Sequence, residues 1–151
     1  MHKLFIALAA AVLAAGPTAA SEKTEVMVSV NQFVNGFNGG DTTTAAATCA
    51  DQTSIIDEFS PYEWHGTGAC STWMNDYDVD AKKNGITDGL VTLSDPRHID
   101  VTADRAYVVV PANYTFKKNG KPVKETGSVI TLVLKKGEAG WRITGWAWAK
   151  N

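Results

Sequence analysis

Residues 103–116, ADRAYVVVPANYTF, alternate in a way that places one set of side chains on each face of a strand. Ala106, Val108, Val110, Ala112, Tyr114 and Phe116 share one face, and Tyr107, Val109, Asn113 and Thr115 share the other. Similar strand-like runs flank this one, at residues 90–101, 122–134 and 141–149. Asn119-Gly120 supplies a hairpin turn and residues 136–140 a longer connection, so everything after Gly85 reads as an antiparallel meander. Pro111 has no N–H to give a ladder, which assigns its strand to an edge or marks a bulge that bends the sheet.

The first half has a different period. Val26, Val30, Phe33, Val34 and Phe37 recur at helical spacing over residues 22–37, and Asn38-Gly39-Gly40 supplies the stop. Asp41 is a natural N-cap for a short Ala-rich helix ending at Ala47, and residues 54–57 form a brief strand. Residues 59–65, with Pro61, Tyr62 and Trp64, read as a loop. Thr67 opens a third helix that carries Cys70, Trp73, Met74 and Tyr77 and closes at Asn84-Gly85. The expected fold class is α+β: three N-terminal helices packed on a strongly curved antiparallel sheet.

The N-terminus reads as an address. Met1, His2 and Lys3 precede an apolar run at residues 4–15, followed by Gly16, Pro17 and the small residues Thr18, Ala19 and Ala20. That is the pattern of a cleavable signal peptide covering residues 1–20, with one domain at residues 21–151, and the apolar run is too short for a permanent span. The expected location is outside the cytoplasm, in a bacterial periplasm or secreted, with no membrane span after cleavage. The formal net charge is −2 with acids and bases interspersed, and loss of Lys3 makes the exported chain one charge more acidic, which argues against nucleic acid as a partner. The two cysteines, Cys49 and Cys70, suit a disulfide in an oxidising compartment, although a pair of small buried thiols is the alternative.

The order helix, helix, short strand, helix and long-stranded meander resembles the nuclear transport factor 2-like superfamily, which includes the SnoaL-like proteins and ketosteroid isomerase. Phe37-Asn38-Gly39-Gly40-Asp41 resembles that family's turn between its first two helices, residues 51–57 its short strand, and His65-Gly66-Thr67-Gly68 its loop into the third helix. Gly140-Trp141-Arg142-Ile143 followed by Trp148 resembles its last strand. The resemblance implies a cystatin-like cone whose helices close one side of the curved sheet and leave a pocket for a small apolar or amphipathic molecule. Phe33, Phe37, Trp64, Trp73, Tyr77, Tyr114, Trp146 and Trp148 are the candidate ligand-binding residues, with core packing or a dimer face as the plainer role for most of them.

The same resemblance puts Asp57 where ketosteroid isomerase has its general base, with Tyr62 or His65 as assisting groups, or Tyr114 as a further choice. In the isomerase an oxyanion hole made by a Tyr and a protonated Asp completes the site. Here Phe33 stands in place of the Tyr, and the strand that would bring the second acid reads Thr126 to Val129, with Glu125 the nearest carboxylate. Gly145, Trp146 and Ala147 occupy the stretch where the family's last strand often carries a His. Enolisation of the ketosteroid isomerase type is therefore not expected.

Three functions remain open: a binding domain with an apolar cone-shaped pocket, an acid-base enzyme of the isomerase, lyase or hydrolase kind using Asp57, and a homodimeric interaction module whose pocket its own aromatics fill. No cofactor is expected. Asp76-Tyr77-Asp78-Val79-Asp80 opens like a calcium loop, but Ala81 stands where the Gly is needed and Thr87 where the bidentate acid is needed, so no metal is expected either.

Overall fold

The computed structural model describes residues 18–151, so the apolar run expected to serve as a leader lies outside the described residues. Helix α1, Ala19–Asn38, begins at Thr18, whose side chain accepts a hydrogen bond from the Ser21 N–H. The expected cut after Ala20 thus falls in the first turn of α1. A short helix α2, Thr42–Ala46, follows with Asp41 as its cap, donated to by the Thr44 N–H at 3.0 Å. Gly36 lets the two helices touch, since a Cβ there would lie 2.7 Å from the Ala45 backbone nitrogen.

Strand β1, Cys49–Ile56, pairs with β2, Glu63–Thr67, and helix α3, Ala69–Asn84, comes next. The meander then runs through β3, Ile86–Leu93, β4, His98–Thr102, β5, Arg105–Lys118, β6, Lys121–Gly137, and β7, Gly140–Ala149. The sheet order is β2-β1-β7-β6-β5-β3, with β4 also paired to β5. The architecture is α+β, helices packed on a curved seven-stranded sheet.

Four details differ from the sequence expectation. Residues 90–101 are two strands, because Ser94, Asp95, Pro96 and Arg97 interrupt the alternation and β3 and β4 pair with successive halves of β5. The segment expected to be a loop at residues 59–65 ends in β2, an edge strand. The sheet is mixed, since β1 runs parallel to β7. Pro111 is on no edge: Val129 of β6 faces it, and its carbonyl accepts from the Ser94 N–H at 2.9 Å in the gap between β3 and β4. A residue's N–H and C=O leave a strand on the same side, so the N–H that proline lacks would have pointed into this gap, where no ladder needs it. The expected bulge does occur nearby, between Ala112 and Tyr114.

The core is aliphatic where α1 crosses the sheet. Val26 and Val30 are fully buried with Val108, Leu132 and Ile143, and the Ser29 hydroxyl donates to the Trp141 carbonyl at 3.0 Å, docking the helix on β7. A disulfide joins Cys49 at the start of β1 to Cys70 in the first turn of α3, with Cα atoms 6.5 Å apart. Closing a loop of this length contributes about 3 kcal/mol in the chain-entropy account.

Candidate functional site

Toward the other end of the same strands the packing opens into a cavity of about 360 Å³. Bulges decide what faces it. On β7 the register slips between its pairings with Val133 and Leu134, leaving Thr144 as an extra residue, so that Ile143 faces the core and then Trp146, Trp148 and Lys150 take over the inner face. On β6 the pairings Ala112 to Ser128 and Tyr114 to Glu125 leave one extra residue on that strand beside Gly127, whose φ is +79°, and Glu125 turns inward. On β3 a third slip between Thr87 and Leu90 presents Ile86 and Val91 to the cavity.

Asp57, one residue beyond β1, lies half-buried in the cavity wall. One carboxylate oxygen accepts from Trp73 Nε1 at 2.8 Å and the other from the Glu58 backbone N–H at 2.7 Å. Burial raises its pKa to about 6 against those two donors, and the like charges of Glu58 and Glu125 add to the rise. The hydroxyls of Tyr77 and Tyr114 hydrogen-bond each other at the cavity wall, and burial raises both phenol pKa values. They fit there because Gly89 has no side chain: a Cβ would lie 2.7 Å from the Tyr77 hydroxyl and 2.9 Å from that of Tyr114.

At the mouth, Lys150 Nζ bridges Glu58 Oε2 at 2.7 Å and Glu125 Oε2 at 3.0 Å. Glu125 Oε1 accepts from Trp148 Nε1 and from the Ser128 hydroxyl, each at 3.1 Å. Burial pushes Glu125 up, but the hydrogen bonds from Lys150 and Trp148 outweigh it and hold the group low. Burial wins at Glu58, whose pKa is raised despite Lys150. The two carboxylates hold the Lys150 ammonium above its usual value.

The structure brings most of the sequence candidates together. Asp57, Phe33, Phe37, Trp73 and Tyr77 line the cavity, as do Tyr114, Trp146 and Trp148. Trp64 does not: it is buried behind the wall, its ring tilted 45° against that of Phe59, with Nε1 donating to Asp76 at 2.7 Å. Tyr62 is 60% exposed and His65 pairs with Glu63 at 3.0 Å on the exposed face of β2, and neither is part of the wall. The charged groups that sequence reasoning did not place here are Glu58, Asp80, Lys118, Glu125 and Lys150. A signal existed for Glu58, adjacent to Asp57, but Glu125 and Lys150 arrive through bulges. Trp146 Nε1 is buried without an acceptor among the described residues, as is Trp141 Nε1 in the core.

The sequence matches no family model and no curated protein. Solved structures do resemble it. A nuclear transport factor 2-like superfamily protein of Salmonella enterica serovar Typhimurium superposes with a TM-score of 0.74 at 18% identity, over 88% of this chain and 93% of that one. A candidate dehydratase of the nuclear transport factor 2-like family from Streptomyces avermitilis gives 0.71 at 19% identity, over 89% and 99%. A ketosteroid isomerase-like protein of Erwinia carotovora atroseptica gives 0.67 at 16%, over 85% and 95%. At these identities the likeness concerns architecture: the chain has the cystatin-like fold of the nuclear transport factor 2-like proteins.

Proposed function

We propose that this chain is an exported binding domain whose cavity takes one small, mostly apolar molecule, with Asp57 as the polar anchor. The observation that supports this most is the combination of a 360 Å³ space, aromatic walls and a half-buried carboxylate in one place. Small-molecule sites have this composition, with broad apolar area for affinity and a few polar groups for orientation. The aromatic side chains line the space without filling it. Neighbours of the same fold described as ketosteroid isomerase-like and as a candidate dehydratase support a small-molecule guest. The leader-like sequence and the Cys49–Cys70 bridge support export to a periplasm or the medium.

Calorimetric titration with 4-phenyl-1-butanol tests the reading. One saturable site per chain is expected, with affinity reduced at least about tenfold in Val91→Trp, whose indole would occupy the space. Absence of saturable binding, or equal affinity in the variant, rejects it.

A second reading, general-base catalysis, is favoured by one further observation: Asp57, with a pKa of about 6, shares the cavity with the Tyr77 and Tyr114 hydroxyls. A carboxylate of that basicity removes a proton from carbon next to a carbonyl, and a phenol donates to the oxygen that gains charge. Solvent-deuterium exchange at the carbons flanking the carbonyl of 4-phenylbutan-2-one, followed by NMR, measures it. Asp57→Asn is expected to slow any protein-accelerated exchange at least about a hundredfold, and equal rates exclude the base role.

A further inference from the structure

The charge lining the cavity narrows the class of guest. Four carboxylates, Asp57, Glu58, Asp80 and Glu125, face two ammonium groups, Lys118 and Lys150. Lys150 is held by two of the acids at once, at 2.7 and 3.0 Å, and so has little field left for a guest. Asp57 has no cation as a partner among the described residues: its hydrogen bonds come from an indole and a backbone N–H, and the charges acting on it, Glu58 and Glu125, are negative. Tyr77 likewise feels Asp57, Asp78 and Asp80. The other ammonium, Lys118, stands at the exposed end of β5, so beside Asp57 an anionic guest would meet a negative field.

The walls supply the complementary half. Trp73 stands edge-on to Trp146 with ring centroids 4.8 Å apart, and Phe37 stands edge-on to Tyr77 at 4.8 Å, so the space is bounded by aromatic rings. Rings attract a cation through their quadrupoles, most strongly where water is excluded. A neutral hydrocarbon would satisfy the rings and leave Asp57 alone. A cation satisfies both.

We infer that the guest is an amphipathic amine, an ammonium group on a small apolar body, with the ammonium beside Asp57 and the body against the aromatic wall. The inference rests on the cavity being the binding site. Because an ammonium binds the ionised form of Asp57, its affinity rises with pH through the titration of that group, in a field that also contains Glu58, Glu125, Asp80, Tyr77, Tyr114, Lys118 and Lys150.

Three probes that share one body and differ in charge separate the possibilities: 4-phenylbutylamine, 4-phenyl-1-butanol and 4-phenylbutyrate, titrated calorimetrically into the purified protein at pH 7.5. The amine is expected to bind about tenfold tighter than the alcohol, and the carboxylate more weakly than either. In Asp57→Asn the amine and alcohol should converge to within about threefold, the alcohol still binding. On the unaltered protein the amine's advantage should shrink severalfold between pH 7.5 and pH 5, which keeps the test available should the variant fail to fold. Binding of the alcohol as tight as the amine, tighter binding of the carboxylate, or an amine preference that survives the fall in pH overturns the inference and leaves the cavity reading standing. Failure of all three probes to bind overturns both.

Discussion

The two ends of the cone are built from the same four elements and have opposite characters. Along α1 the inward-facing positions run from Val26 and Val30 to Phe33 and Phe37, and along β5 from Ala106 and Val108 to Tyr114 and Phe116. On β6 they run from Leu134 and Leu132 to Glu125, and on β7 from Ile143 to Trp148, with the exposed Lys150 just beyond the strand. One end therefore closes on interdigitated aliphatic side chains, and the other ends in rings and charges too bulky and too polar to close on each other. Close packing belongs mainly to the first end, and the cavity to the second. The same substitution should have different consequences at the two.

Val108→Ala and Val91→Ala remove the same atoms, one from the sealed end and one from the cavity wall. Val108 is fully buried, so its loss should cost about 2–3 kcal/mol in urea denaturation, while Val91, already beside open space, should cost about 1 kcal/mol. Equal costs would mean that the cavity wall packs as tightly as the core. Asp57 should show the reverse sign. Its raised pKa means that the folded state holds the proton more tightly than the unfolded state, so its contribution is favourable below the unfolded value of 3.8 and is lost as pH rises through about 6. Asp57→Asn should accordingly stabilise the protein by about 2 kcal/mol at pH 7.5 and by only about 0.5 kcal/mol at pH 4, read as the difference in unfolding free energy at the two pH values. The smallest effect is expected at His65, on the exposed face of β2: His65→Ala should change stability by no more than about 0.5 kcal/mol and leave 4-phenyl-1-butanol affinity unchanged in the same titration.

The sealed end was the more legible in the sequence, because its elements keep their periods. Val26, Val30, Phe33 and Phe37 stay on one helical stripe, and Ala106 to Phe116 stay in phase along β5. The open end breaks phase. Counting by twos from Ile143 predicts Gly145 and Ala147 on the inner face, but the extra residue at Thr144 substitutes Trp146 and Trp148. Counting by twos from Ser128 predicts Thr126, but the slip beside Gly127 substitutes Glu125. Asp57 was legible through its spacing and the family resemblance, without any phase count. Tyr62 and His65 sit close to it in sequence, yet β2 folds back along β1 at the sheet edge and carries both outside the cavity wall. The partition of residues 90–101 into two strands was hidden for a simpler reason: apolar residues on both sides of Pro96 keep the appearance of one run.

The disulfide has a mechanical consequence for the wall. Helix α3 is pinned covalently at Cys70, and at its other end the Gly85 carbonyl accepts from the Asn119 N–H at 2.8 Å, in the turn between β5 and β6. It is a beam clamped at both ends, with Trp73 and Tyr77 in its span. A beam held this way admits nothing by swinging aside. The rim between Glu58, Lys150 and Glu125, by contrast, is held by side-chain contacts alone.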